Sequence, residues 1–468
     1  MPMPYAYIRA VVPVVAWFAA AVMPVAAADD LRLVAAAERN DPEAVAAWLA
    51  AGVDVNVSQP DGATALHWAA HWDAVDIAHH LLGAGAVVDA TNDLGVSPLS
   101  VACRDGSVPM VETLLDGGAD VGVAEPSGET VLMTCARTGS LAAVARMLAA
   151  GADPNARERA SGQTALMWAV AGRHTAVARL LVEAGAEVDG RSTGAFTPLL
   201  FAARAGALDA ARLLVEAGAD VNAVTADGHS PLLVAAASLD AITGSDYRLV
   251  VDESDHEALG IFLLDHAADV NQSDVYGMTP LHYAVEMGKP ALLEALLVHD
   301  ADPNRQLTKP LPFRRGDYVG RRAYDGATPF WLAARLANLE MMRALLAAGA
   351  DPEMPSVRGV TPLMVAAGST QSDSRMVPEA RLLDAVRMLA LEVGADIRAI
   401  DAGGQTAVHG AASVSGDALI SFLVGQGASP DAKDNRGRTP LDLATTTLRP
   451  RPSTAALLRE LAGAADSP

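Results

Sequence analysis

Residues 197–203 read TPLLFAA, and residues 361–367 read TPLMVAA. Nine further segments follow the same pattern of Thr or Ser, then mostly apolar residues, then small residues. They begin at Thr64, Ser97, Thr130, Thr164, Ser230, Thr279, Thr328, Thr406 and Thr439. The eleven starting positions are separated by 33, 33, 34, 33, 33, 49, 49, 33, 45 and 33 residues. A sustained internal period of this length indicates a repeat architecture.

Each unit is predicted to hold two helices. The leading Thr or Ser is a typical N-cap, and Pro often follows at the first helical position. A second segment, such as AVDIAHHLLGAG at 74–85, has apolar residues three and four apart, which favours an amphipathic helix. Because no unit can bury its own apolar face, neighbouring units must stack. Left-handed glycine caps are predicted after the second helices, at Gly52, Gly85, Gly118, Gly151, Gly185, Gly218, Gly349, Gly394 and Gly427.

This pattern resembles the ankyrin repeat, and the resemblance covers almost all of the chain after residue 28. It implies an all-α repeat solenoid of about twelve stacked helix-turn-helix units, with β-turns projecting between them. Segment 29–57 is predicted as an N-terminal cap repeat, because it has the helices but lacks the Thr-Pro opening. Segment 436–468 is predicted as the C-terminal cap and tail. The resemblance also implies binding to another protein through a groove and its turns.

Residues 1–28 have the layout of a secretory signal peptide. Arg9 precedes an apolar run from Val11 to Val22, and small residues lead to a predicted cleavage site after Ala28. The run is too short for a spanning helix, although a retained anchor is the alternative. The chain 29–468 is therefore expected in the periplasm or outside the cell, with no membrane insertion after cleavage.

The composition and the motif content of the chain argue against several classes of partner and of chemistry. The chain has 34 basic and 56 acidic residues, a net charge of −22, which argues against nucleic acid and anionic membranes as partners. Cys103 and Cys135 are predicted to be buried, unpaired small residues, because helix layers about 10 Å apart would hold their Cα atoms beyond disulfide range. No catalytic or nucleotide-binding motif occurs, so we expect a monomeric non-enzyme without a cofactor.

Three insertions interrupt the period, at 238–256, 305–324 and 368–381. The first and third are predicted to lie between the two helices of a unit, and the second within a turn between units. The second, here called the finger, carries six basic residues and one acid in an otherwise acidic chain. It is interpreted either as a partner-binding element, since insertions in repeats often lie on the binding face, or as a tolerated loop extension.

Candidate partner-binding residues fall in the finger and on the predicted groove. A cation recurs near the end of the first helices, where it either lines the groove or complements the helix dipole. Trp72 is predicted to face the groove. The candidates are Phe313, Arg314, Arg315, Tyr318, Arg321, Arg322, Trp72, Arg104, Arg137, Arg204 and Arg335.

His67 and His71, four residues apart, have a spacing that zinc ligands use. His67 also occupies the same motif position as His282 and His409, where the family resemblance implies hydrogen bonding between turns. Three functional hypotheses follow from the sequence. The first is a non-catalytic scaffold or adaptor in the bacterial periplasm. The others are an assembly or protection factor for an exported redox enzyme or metalloenzyme, and a secreted effector.

Overall fold

A computed structural model describes residues 30–243, 253–309, 324–370, 377–445 and 451–465. Over these residues the chain forms twelve pairs of α-helices and no strands, apart from the isolated bridges Ser58–Thr64 and Ala124–Thr130. The all-α repeat solenoid that the sequence resemblance implies is therefore confirmed. The predicted signal peptide lies outside the described residues, and among those residues no helix is both long and apolar enough to cross a membrane.

The first helices of the twelve units are α1 Arg32–Glu38, α3 Ala65–His71, α5 Pro98–Asp105, α7 Val131–Thr138, α9 Ala165–Ala171, α11 Pro198–Ala205, α13 Pro231–Thr243, α15 Pro280–Met287, α17 Pro329–Arg335, α19 Pro362–Ala366, α21 Ala407–Ser413 and α23 Pro440–Thr445. The second helices are α2 Pro42–Ala50, α4 Val75–Gly83, α6 Val108–Asp116, α8 Leu141–Ala149, α10 Thr175–Glu183, α12 Leu208–Glu216, α14 Glu253–Leu264, α16 Pro290–Val298, α18 Leu339–Ala347, α20 Glu379–Arg387, α22 Asp417–Gly425 and α24 Pro452–Ala465. A π-helical segment, Met388–Val393, extends α20.

Stacking follows one rule along the chain. First helices contact the first helices of neighbouring units, second helices contact second helices, and the two helices of a unit contact each other. The small residues of the first helices, such as Ala69, Ala169 and Ala202, are fully buried at these contacts. Burial of apolar surface between units supplies the stability that a single unit lacks.

The N-caps form as the motif predicts. The Thr197 hydroxyl accepts a hydrogen bond from the Leu200 amide at 3.4 Å, and the Thr328 hydroxyl accepts one from the Trp331 amide at 3.1 Å. These bonds satisfy backbone donors that have no partner inside the helix. The repeated Thr or Ser therefore fixes where each first helix begins.

The second helices end in left-handed residues, also as predicted. All nine predicted cap glycines have positive φ, between 76° and 95°. Two units lack this glycine, and their residues Ala267 and Asp300 adopt φ values of 63° and 62°. The stack therefore imposes the same backbone geometry where a side chain makes it unfavourable.

An asparagine in the turn ties each of several units to the following one. Asn155 donates its side-chain amide to the Gly185 carbonyl at 3.0 Å, and its Oδ1 accepts from the Glu187 amide at 2.7 Å. Asn222 makes the same pair of bonds to Ala267 and Asp269 across the first insertion. The stacking geometry is thus preserved where extra residues are present.

The prediction that the two cysteines stay unpaired is wrong. Cys103 on α5 and Cys135 on α7 form a disulfide, with their Cα atoms 4.7 Å apart and both side chains fully buried. The expectation used the average distance between helix layers. First helices approach more closely than that average at their small residues, and the one-position offset between the two cysteines brings them face to face.

Replacing Ala267 or Asp300 with glycine is expected to raise the free energy of unfolding by up to about 1 kcal/mol each. Glycine relieves the left-handed strain, and its greater entropy in the unfolded chain offsets part of the gain. The matched control is Gly349→Ala, expected to destabilise by about 1 kcal/mol, because an added Cβ there meets no atom within 4 Å and acts only through φ. Urea denaturation measures the free energy of unfolding of the three variants. A lower free energy of unfolding in A267G and D300G would refute the strain argument.

Candidate protein-binding surface

The ends of the first helices, together with the turn residues that contact them, are here called the first-helix face. Five of the candidate groove residues lie on it. Trp72 caps the end of α3, while Arg104, Arg137, Arg204 and Arg335 lie at or near the ends of α5, α7, α11 and α17.

Trp72 is the most exposed aromatic side chain on this face. Its side chain is 48% exposed, although the indole Nε1 donates to the Glu38 carbonyl at 2.9 Å. The centroids of the His71 and Trp72 rings are 4.8 Å apart, and His71 Nδ1 is 3.3 Å from the Asp105 carboxylate. This places a held but accessible tryptophan at the N-terminal end of the stack, and tryptophan is among the residues in which interaction hot spots are enriched.

Arg104 and Arg137 are half-exposed, and each meets an acidic residue of a turn. Arg104 lies 3.4 Å from the Glu125 carboxylate, and Arg137 lies 3.5 Å from the Glu129 carboxylate. The Arg137 guanidinium also covers the Trp168 ring, with 4.9 Å to its centroid. Burial, together with the charge of Glu129, raises the pKa of Glu125. The surface here therefore alternates positive and negative charges around an indole.

Arg204 and Arg335 lie against aromatic rings. The Arg204 guanidinium is 5.9 Å from the Phe201 centroid, and the Arg335 guanidinium is 4.8 Å from that of Tyr324. Tyr324 in turn packs edge-on against Trp331, with 5.7 Å between centroids. Because Tyr324 is the last residue of the finger, Arg335 connects the finger's base to the first-helix face.

The turn that carries the finger is closed beneath it. The Leu307 amide donates to the Ala327 carbonyl at 3.1 Å, and the Thr308 amide donates to the Tyr276 carbonyl of the preceding turn at 2.9 Å. A turn without an insertion makes the same two bonds. The Asn92 amide donates to the Val96 carbonyl, and the Asp93 amide donates to the Asp61 carbonyl of the preceding turn. The extra residues therefore leave from the tip of a regular turn. Phe313, Arg314, Arg315, Tyr318, Arg321 and Arg322 lie outside the described residues.

The motif histidines bridge consecutive turns. His282 Nδ1 accepts from the Thr279 amide at 3.2 Å, so Nε2 carries the proton and donates to the Ala327 carbonyl at 3.3 Å. Burial lowers the pKa of His282 to about 4, and burial also lowers the pKa of His67 and His409. His67 makes the same two bonds: its Nδ1 accepts from the Thr64 amide, and its Nε2 donates to the Val96 carbonyl. The described residues hold no group of three or more His, Cys, Asp or Glu suited to a metal ion.

A second set of basic residues was not recognised from the sequence. Side chains near the start of a second helix reach back to the end of the previous unit's first helix. His174 Nε2 bonds to the Arg137 carbonyl at 3.0 Å, and Nε2 of the buried His256 bonds to the Arg204 carbonyl at 3.3 Å. These carbonyls lack helical partners and carry the negative end of the helix dipole. The only sequence signal was a basic residue shortly before or within the first turn of a second helix.

Comparison with known proteins agrees with this geometry. Models described as ankyrin repeats match residues 33–125, 114–193 and 250–306 (three copies), 181–235 (many copies) and 325–356 (a single repeat). Together these ranges span more than half of the chain.

The curated relatives include human Neurogenic locus notch homolog protein 1, 31% identical over 39% of this chain and 6% of that protein. The Xenopus tropicalis protein of the same name is 30% identical over 27% of this chain and 6% of its own length. The probable 26S proteasome regulatory subunit p28 of Saccharomyces cerevisiae is 30% identical over 36% of this chain and 65% of its own length. The matched segment therefore spans less than two thirds of each relative.

Stability is expected to fall as pH drops from about 6.5 towards 4. The folded pKa of His282 lies below its ordinary value of 6.5, so the unfolded chain binds the proton more readily across this window. At pH 5 this single histidine is expected to remove about 2 kcal/mol of the stability present at pH 7.5. Urea denaturation at pH 7.5 and pH 5 measures the loss in the parent chain and in His282→Gln, which keeps a donor and an acceptor without the titration.

His80→Gln is the control, since His80 is exposed on a second helix. The pH-dependent loss should shrink by about 2 kcal/mol in H282Q and stay at the parent value in H80Q. An unchanged loss in H282Q would show that protonation of this buried ring does not limit stability.

Proposed function

The chain belongs to the ankyrin-repeat family, and from this premise we propose that it is a non-catalytic scaffold that binds another protein in the bacterial periplasm. The observation that carries the proposal is the first-helix face, where aromatic and charged side chains are held in place by contacts between units. Rigid presentation lowers the ordering cost of binding. Binding hot spots are enriched in tryptophan and arginine. The face offers both in Trp72, in the Arg104–Glu125 pair and in the Arg137–Trp168 contact.

The periplasmic location has two supports of different kinds. The sequence of residues 1–28 has the layout of a secretory signal peptide. The Cys103–Cys135 disulfide joins two neighbouring units in the middle of their packed first helices. Disulfides form and persist mainly in oxidising compartments, to which the bacterial periplasm belongs. Together they favour export over retention in the cytoplasm.

The finger is proposed as a second contact element of the same surface. Its base is fixed by backbone bonds at Leu307 and Thr308, and Tyr324 joins it to Arg335. Its local excess of positive charge stands out in a chain of net charge −22, so it is suited to an acidic patch on the partner.

The test is affinity capture from a periplasmic extract of the source cells with 29–468 as bait. A second bait lacks residues 309–324, which restores the length of an ordinary turn by joining Thr308 to Asp325. A third carries R314E/R315E, and its matched control carries R179E/R459E, the same charge change on exposed arginines of second helices. We expect the parent and the control R179E/R459E to retain the same partner. The deletion bait and R314E/R315E should lose that partner or bind it with at least tenfold lower affinity.

A partner retained equally by all four baits would remove the finger from the binding surface and leave the first-helix face. Failure of the folded parent bait to retain any protein would contradict the scaffold function itself. Circular dichroism of each bait separates loss of binding from loss of folding.

A further inference from the structure

The tenth unit differs from its neighbours at the end of its first helix. Helix α19 has five residues, whereas α17 and α21 have seven. The chain then turns through Gly368 and Thr370, with φ values of 102° and 80°. Positive φ is a genuine outlier for a β-branched residue such as Thr370, and such strain is found mostly at functional sites.

A cavity of about 340 Å³ is lined by residues of this unit and of the two units that follow. It exists because Gly410 occupies the position that holds Trp68, Trp168, Phe201 and Tyr283 in other units. The space that an aromatic ring takes in those four units is vacant, and Ser369 approaches in its place. A Cβ added at Gly410 would lie 2.5 Å from the Ser369 hydroxyl. The irregular turn and the glycine therefore create the cavity together.

Hydrogen-bond donors without partners line this cavity. The Thr370 hydroxyl is inaccessible to solvent and has no hydrogen-bond partner. The hydroxyl of the half-buried Ser369 and the guanidinium of the exposed Arg358 also make no hydrogen bond or ion pair within the described part of the chain, but only the Thr370 hydroxyl is shielded from water. Buried polar groups are almost always satisfied, so an isolated one beside a cavity indicates a missing acceptor.

The remaining charges restrict what that acceptor can be. Arg438 is already held by Asp434, with 2.9 Å from its Nε to the carboxylate. The Asp401 carboxylate also lines the cavity, where it accepts from the Gly403 and Gln405 amides at 2.8 Å. One free guanidinium beside one fixed carboxylate suits a singly charged ligand better than a dianion such as a phosphate monoester. Val360 and Leu443 supply apolar walls for an attached carbon chain.

We propose that this cavity binds a carboxylate group of the protein partner, with Arg358 as its ion pair and the Ser369 and Thr370 hydroxyls as hydrogen-bond donors. The proposal deepens the scaffold function and rests on it. A carboxylate accepts two parallel bonds from a guanidinium and has further lone pairs for the two hydroxyls. It can come from the C-terminus of the partner or from an Asp or Glu side chain, and the experiment distinguishes these sources.

Calorimetric titration of the chain 29–468 with three short peptides tests the site. They are acetyl-Ala-Ala-Val with a free carboxylate, its C-terminal amide, and the amide of acetyl-Ala-Glu-Ala. Binding of the free acid alone identifies a chain end, and binding of the glutamyl amide identifies an acidic side chain. The neutral amide and inorganic phosphate are expected to bind at least tenfold more weakly. Equal binding of the neutral amide, or no binding of either carboxylate, overturns the proposal.

Two variants assign the binding to these residues. Arg358→Gln should weaken the carboxylate peptide at least tenfold, whereas Arg436→Gln should not, because Arg436 holds the same turn position before Gly437 but lies outside the cavity lining. Thr370→Val should weaken binding several-fold without lowering the melting temperature, since it removes a hydroxyl that has no partner in the unliganded chain. Unchanged affinity in both R358Q and T370V would refute the assignment. Partner capture by R358Q that matches the parent would refute the site but leave the scaffold function intact.

Discussion

The two hydrogen bonds from one turn asparagine to the next unit's left-handed cap are the constraint on which the rest of the stack depends. At Asn304 they reach the Gly349 carbonyl at 3.0 Å and the Asp351 amide at 2.7 Å, across the finger and 45 residues of chain. The same geometry is found at Asn56, where no insertion intervenes. Each unit that carries this asparagine therefore positions its neighbour independently of how much chain connects them, which lets the stack accommodate long insertions without a change in the packing of its helices.

That regularity explains where the irregular features lie. The finger emerges from a turn whose closing bonds are ordinary, and the cavity forms where a shortened α19 meets a glycine at a position that holds a larger residue in the other units. Both departures lie beside the first-helix face, which also presents Trp72 and the arginine pairs. Solvated loops tolerate extra length at small entropic cost, so a repeat protein can vary these sites while its packed helices stay constant. This arrangement suits a scaffold whose specificity comes from a few exceptional positions.

Features that depend on local chemistry were predictable from the sequence. The Thr and Ser N-caps, the glycine caps and the strained Ala267 and Asp300 each follow from residues within one unit. Features that depend on contacts between units were not. The disulfide was missed because an average layer distance hides the close approach at small residues, and the pairing of Arg104 with Glu125 requires side chains 21 positions apart. The Gly410 cavity was visible in principle, since glycine is exceptional at that motif position.

Hydrogen–deuterium exchange at the asparagine-bound amides tests the central claim, that the stack is continuous across its insertions. The amides of Asp269 and Asp351 are bound across insertions, whereas that of Glu187 is bound across a regular connection. If the stack is continuous, all three should exchange at similar, slow rates, because opening any of them requires separating adjacent units. Rapid exchange at Asp269 and Asp351 beside slow exchange at Glu187 would show that the insertions divide the chain into separate stacks.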